Sequence, residues 1–218
     1  MNNCPARVDF AGGWQDDPRN GIEGYVVNCS ISPLVSLENN PYGKLTGLGG
    51  SAIESFLNGE DAVAAELARG VGWQDPVVIS ETGLCVWKTG GGPKLVMKVY
   101  PATLEGRMAL LWTIPRAERA SEISTKKRPF DLIKRAGDMA AKAVDDGSPW
   151  KLIQAVRLSY EAQLAEGMES LDFDAQAMKY CGAGWGGWAL CMFENVKLRD
   201  QFVIEQKAMA IEPYMRWQ

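Results

Sequence analysis

Thr46-Gly47-Leu48-Gly49-Gly50-Ser51-Ala52, continuing into Ile53-Glu54-Ser55-Phe56-Leu57, is the stretch on which the fold turns. Glycines permit close backbone approach and left-handed conformations, and the start of a helix offers unpaired N–H donors at a positive dipole end. Together these features make a phosphate cradle. The same pattern is also read as a tight connection before a helix. Two further small-residue stretches, Pro5 to Pro18 (PARVDFAGGWQDDP) and Lys179 to Trp188 (KYCGAGWGGW), favour the first reading, because three such loops in one chain suggest a shared site.

Composition narrows the chemistry. A chain of 218 residues, 46% hydrophobic and 23% charged, has the makeup of a globular protein with a substantial core. A net charge of −4 and a pI near 5.1 argue against a broad nucleic-acid surface. The sharp basic cluster, Lys126-Lys127-Arg128, precedes Pro129 and reads as a solvated loop. Histidine is absent, which excludes Ser-His-Asp and Cys-His machinery and histidine metal sites. Proton transfer then falls to carboxylates, Lys, Cys or Tyr. The five cysteines, Cys4, Cys29, Cys85, Cys181 and Cys191, lack Cys-x-x-Cys spacing and read as reduced thiols, so a cytoplasmic location is expected. No leader or membrane span is expected either.

Along the chain, Arg7 to Ala11 alternates as a strand and runs into the turn at Gly12-Gly13. Trp14 to Pro18 forms a polar loop in which Asp16 and Asp17 are open to two readings, polyol acceptors or an Asx turn. Tyr25 to Glu38 is extended, interrupted at Pro33. Short helices follow from Ser51 to about Leu57 and from Asp61 to Ala68. Asp75 is expected at a loop-to-strand junction before the apolar run Val77-Val78-Ile79, with Pro76 biasing it toward extended geometry. Leu84 to Trp87 and Lys94 to Tyr100 read as a hairpin.

Beyond Leu104 the pattern changes. Met108 to Trp112 is a strand, Asp131 to Val144 is a helix, and a second helix opens with Ser148 as N-cap and Pro149 at its first position. Its stripe of Leu152, Ile153, Val156, Tyr160 and Leu164 is core. Strands at Ala177 to Cys181 and Trp188 to Phe193, a helix from Lys197 to Lys207 and a strand from Ile211 to Trp217 complete a split βαβ plan. An α+β protein is expected, with units at residues 1–102 and 103–218.

These stretches resemble the signature regions of the GHMP kinases (galactokinase, homoserine kinase, mevalonate kinase and phosphomevalonate kinase), and within them the branch of fucokinase and D-glycero-D-manno-heptose 7-phosphate kinase. PARVDFAGGWQDDP is similar to the sugar-binding first motif, GLGGSA to the phosphate-loop second and KYCGAGWGGW to the glycine-rich third. GVGWQDP, residues 70–76, resembles the segment carrying the catalytic aspartate. The resemblance implies a compacted two-domain fold, with an amino-terminal unit of the ribosomal-protein domain 2-like type and a ferredoxin-like carboxy-terminal unit. It implies an ATP- and Mg²⁺-dependent sugar kinase, of unassigned oligomeric state with a homodimer as one candidate, without nucleic-acid or membrane partners. The alternative is a degenerate homologue that binds a sugar, nucleotide or protein.

The resemblance also implies roles. Asp75 orients or deprotonates the attacking hydroxyl; Arg7 lies near the transferring phosphoryl group or holds that carboxylate. Gly47, Leu48, Gly49, Gly50, Ser51 and Ala52 cradle the nucleotide phosphates, while Ser51 and Glu66 ligate Mg²⁺, with Glu54 competing for the metal. Gly13, Trp14, Asp16, Gly182, Gly184, Gly186 and Gly187 form the substrate side. Trp14 and Trp73 are open to ring stacking or to core packing. Arg116 and Arg119 are read as an exposed helix face ahead of a role with an anionic substrate. The chain departs from the family pattern at Gly50, usually serine, at Pro76, usually glutamine, and at Trp185, usually glycine.

Overall fold

The computed structural model describes residues 3–17, 22–117, 123 and 127–216. Pro18, Arg119, Lys126 and Trp217 lie outside the described residues. Among those described, the strands are β1 (Cys4–Ala11), β2 (Tyr25–Val35), β3 (Leu84–Lys88), β4 (Lys94–Val99), β5 (Met108–Trp112), β6 (Ala177–Tyr180), β7 (Trp188–Met192) and β8 (Met209–Pro213). The α-helices are α1 (Gly50–Leu57), α2 (Ala62–Ala68), α3 (Gln74–Glu81), α4 (Phe130–Asp145), α5 (Pro149–Ala165) and α6 (Val196–Gln206).

Every strand pair is antiparallel, in the order β4-β3-β2-β8-β5-β7-β6, with β1 on the far edge of β2. One edge of β2 is shared. Tyr25 to Cys29 pair with β3, and Ile31 and Ser32 pair with Pro213 and Glu212 of β8. The order β8-β5-β7-β6 with intervening helices is the split βαβ plan.

The alternation in β1 has an unexpected use. All eight of its residues are buried, because α1 and α3 pack on it as well as α4 and α5. A strand covered on both faces normally carries apolar residues throughout. Here Arg7 and Asp9 share one buried face, and that face supplies the floor of the site.

Helix α5 begins as expected, Ser148 Oγ accepting from Lys151 N at 3.3 Å with Pro149 in the first turn. Its apolar stripe is only partly core: Leu152, Ile153 and Val156 are buried, Tyr160 is half-buried and Leu164 is 37% exposed.

The expected strand after Asp75 is a helix instead. Val77, Val78 and Ile79 belong to α3 and are buried, and three apolar residues in a row carry no period that separates helix from strand. Pro76 is tolerated because first-turn N–H groups lack helical partners in any case. Asp16 supplies the missing acceptor, its Oδ2 lying 2.9 Å from Gln74 N. Asp75 therefore stands in the first turn of a helix, where the dipole favours a carboxylate.

Candidate active site

A cavity of about 720 Å³ opens between the start of α1, the start of α3 and the loop after β6. Arg7, Asp75, Asp16, Trp14, Ser51 and Glu66 all line it, as do Gly47, Gly49, Gly50 and Gly182. Segments more than a hundred residues apart meet here.

The phosphate-loop stretch has the geometry of a cradle. Gly49 caps α1 at φ +81°, a left-handed conformation that disfavours side chains, and no side chain bonds to the helix start. The first N–H groups of α1 are thus left to a ligand. Gly50, the departure from the family pattern, has a packing reason: a Cβ there would sit 2.8 Å from Leu45 Cβ. Leu48 and Ala52 turn into the core and contribute only backbone.

The third loop touches the second. A Cβ on Gly47 would lie 2.6 Å from Cys181 O, and one on Gly182 would lie 2.9 Å from Gly47 Cα. Of the four glycines of the third loop, only Gly182 borders the cavity. Gly184 packs on Met168, Gly186 on the backbone of Ile114 and Arg116, and Gly187 on Thr46. Their part is close packing. Trp185 adopts φ +60°, which is rare for a bulky side chain and explains why glycine is usual there.

Arg7 is committed to carboxylates. Its Nη2 donates to Asp75 Oδ2 at 2.7 Å, and its Nε lies at ion-pair distance, 2.7 Å, from Asp75 Oδ1. Nη1 donates to Asp9 Oδ1 at 3.0 Å and to Gly47 O at 2.9 Å. Arg7 thus holds the Asp75 carboxylate and also lines the cavity. Sequence reasoning missed the residues behind it. Lys179 Nζ pairs with Asp9 Oδ2, and Gly182 N donates to Asp9 Oδ1 at 3.1 Å. Burial pushes Asp9 up, but Lys179 and Arg7 outweigh it and hold the carboxylate below its ordinary range. Alternating polar residues within an otherwise apolar strand were the signal available for Asp9.

Glu66, on α2, is buried, 3% exposed. Burial raises its pKa, with the nearby Ser51 hydroxyl pulling down, Asp75 pushing up, and Arg69, whose Nη1 lies 3.1 Å from Oε1, pulling down. Glu54 is exposed and does not line the cavity. Ser51 and Glu66 both line the cavity, and one hydroxyl and one carboxylate are hard oxygen donors of the kind Mg²⁺ takes while keeping waters and phosphate oxygens, so the pair fits that ion. Among the described residues, no cluster of three or more His, Cys, Asp or Glu could hold a metal by itself.

On the opposite wall, Asp16 is buried and Trp14 faces the cavity at φ +74°. Burial pushes the Asp16 carboxyl up to about 7, with the Gln74 N–H pulling down and Asp75 pushing up. Trp14 stacks on Arg128, whose guanidinium carbon is 3.8 Å from the ring centroid. Arg128 is buried, correcting the solvated-loop reading at that residue, while Lys127 is exposed as that reading expects. Trp73 is core, edge-on to Trp87 at 6.2 Å. Gly13 borders a small recess behind Trp14 rather than the main cavity. Arg116 is neither on a helix nor fully exposed; it lines the cavity from the segment after β5.

No family model and no curated protein matches the sequence. Solved structures do match. The mevalonate kinase of Methanococcus jannaschii superposes with a TM-score of 0.67 at 12% identity, over 99% of this chain and 98% of that one. A D-glycero-D-manno-heptose 1-phosphate kinase from Bacteroides thetaiotaomicron gives 0.64 at 14% identity, over 100% and 98%. The Streptococcus pneumoniae phosphomevalonate kinase, in complex with phosphomevalonate and AMPPNP, gives 0.66 at 15% identity, over 97% and 99%. The chain has the α+β fold of the GHMP kinases along its whole length.

Proposed function

We propose that the protein is an ATP- and Mg²⁺-dependent kinase that transfers the γ-phosphoryl group to a hydroxyl of a sugar or sugar-like small molecule, with fucose-like and heptose-phosphate-like acceptors as the first candidates. The observation that carries this reading is a single one: a carboxylate clamped by an arginine, Asp75 on Arg7, shares a cavity with a glycine-lined helix start that no side chain caps. The fold likeness to three kinases adds support.

Phosphoryl transfer asks for alignment and charge neutralisation more than for covalent help. In this reading the N–H groups at the start of α1 and the Gly47–Gly50 backbone hold the phosphates. Ser51 and Glu66 would hold Mg²⁺, which would supply charge neutralisation to the nucleotide phosphates. Asp16 accepts from acceptor hydroxyls and Trp14 offers a ring face. The acceptor oxygen bonds to the γ-phosphorus as the bond from that phosphorus to the bridging oxygen breaks, and ADP departs. Asp75 orients the hydroxyl and receives its proton. Because the transition state is loose, orientation matters more than basicity.

An ADP-release assay over fucose, other hexoses and heptose 7-phosphate tests the reading. Turnover of at least one acceptor is expected, reduced by about a hundredfold or more in Asp75→Asn. No turnover with any acceptor, together with nucleotide-independent binding of sugar, would leave a binding module instead.

A further inference from the structure

Among the described residues, three arginines line the cavity, and two of them are already neutralised. Arg7 is held by Asp75 and Asp9, and Arg69 by Glu66 at 3.1 Å. Arg116 has no hydrogen bond or ion pair from its side chain to any described residue. Its backbone, by contrast, is firmly placed. Gly187 N donates to Ile114 O at 2.7 Å, Thr113 N donates back to Gly187 O at 3.0 Å, and Thr113 Oγ1 does so at 2.8 Å. A Cβ on Gly186 would come within 3.1 Å of Arg116 N, so the third loop lies directly against this segment.

A half-buried cation without a counter-charge is costly, more so beside another cation. Burial and the nearby Arg7 both press the Arg116 guanidinium toward losing its proton, and Asp75 alone pulls the other way. Among the described residues, the charged groups that act on Arg116 are thus Arg7 and Asp75. With its backbone seated against the third loop, the side chain offers its charge to the part of the cavity where Asp75 and that loop meet.

We propose that Arg116 is an oxyanion-binding side chain at the acceptor end of the cavity, and that the acceptor carries a phosphate or carboxylate group in addition to the hydroxyl that is phosphorylated. The proposal rests on the kinase reading for the identity of that end. It narrows the acceptors from neutral sugars to acidic or already phosphorylated ones. A planar guanidinium suits either anion through paired N–H donors.

The test uses the whole protein saturated with Mg²⁺ and AMPPNP, into which inorganic phosphate is titrated calorimetrically. Phosphate should bind, about tenfold or more weakly in Arg116→Gln, with Arg116→Lys recovering part of the loss. Affinity for AMPPNP should change by less than about twofold, a difference too small for a lost charged contact. With acceptors, Arg116→Gln should raise KM for a sugar phosphate and leave KM for the parent sugar unchanged. Phosphate binding that the substitution does not affect would overturn the proposal, as would a loss of AMPPNP affinity matching the loss for phosphate, since the cation would then serve the nucleotide. If no nucleotide binds, the kinase reading falls by itself. The titration on the unloaded protein then decides the anion site: dependence on Arg116 upholds it, and equal binding in both proteins overturns it.

Discussion

Replacing Asp16 with Asn should change the pH dependence of stability in a direction fixed by where that carboxyl sits. The side chain is 2% exposed, and Gly72 is so close that a Cβ there would overlap Asp16 Oδ2 at 1.8 Å. Burial raises the pKa from 3.8 to about 7 in the folded chain, while the unfolded chain stays near the ordinary value. Between those two values the folded state holds a proton that the unfolded state has lost, so stability falls as pH rises through the interval. The contribution is fully present below about pH 4 and gone above about pH 7. At about 1.36 kcal/mol per pKa unit, it amounts to at most about 4 kcal/mol. Asn keeps a carbonyl oxygen for Gln74 N–H and never ionises. Urea unfolding of both proteins from about pH 4.5 to about pH 8 should give curves that converge at the acid end. Asp16→Asn should become the more stable protein by about 2–4 kcal/mol at the alkaline end. Taking the difference removes Glu66 and Glu166, which burial also raises and which titrate in both proteins. Curves that stay parallel across the range would refute the reasoning.

Three other substitutions probe the site. Gly47→Ala places a Cβ 2.6 Å from Cys181 O at a residue with φ +84°, so calorimetric melting should show a loss of about 2–4 kcal/mol, with weaker AMPPNP binding; wild-type behaviour in both would contradict the loop contact. Glu66→Gln removes one of two protein oxygens offered to Mg²⁺ and should raise the Mg²⁺ concentration for half-maximal turnover by about tenfold. An unchanged Mg²⁺ titration would assign Glu66 to the Arg69 pair alone. Lys179→Met strips a buried carboxylate of one cation and should cost about 3–5 kcal/mol in denaturant unfolding, whereas a loss below about 1 kcal/mol would mean that Arg7 and Gly182 satisfy Asp9 unaided.

What the sequence disclosed was local or carried by ordered motifs. The hairpin across Thr89 to Pro93, the Ser148-Pro149 helix start and the strands flanking the third loop follow from turn, cap and alternation chemistry within a few residues. The juxtaposition of Gly47, Asp75 and Gly182 was legible only through the resemblance, and all three line one cavity. Other features depend on what packs from elsewhere. Val77 to Ile79 reads as strand until Asp16, from another loop, caps the helix that they occupy. Arg128 and Arg116 look like surface residues until Trp14 covers one and the third loop turns the other inward. Asp9 and Lys179 are 170 positions apart, and neither signals the other along the chain.

The central claim is that a nucleotide lies on the start of α1 with its terminal phosphate facing Asp75. A crystal structure of the protein with Mg²⁺ and AMPPNP measures this directly. The account predicts phosphate oxygens on the backbone N–H groups of Gly49 to Ser51 and a γ-phosphate separated from the Asp75 carboxylate by room for one hydroxyl. A nucleotide bound elsewhere, or a saturated crystal in which that helix start holds only water, would contradict it.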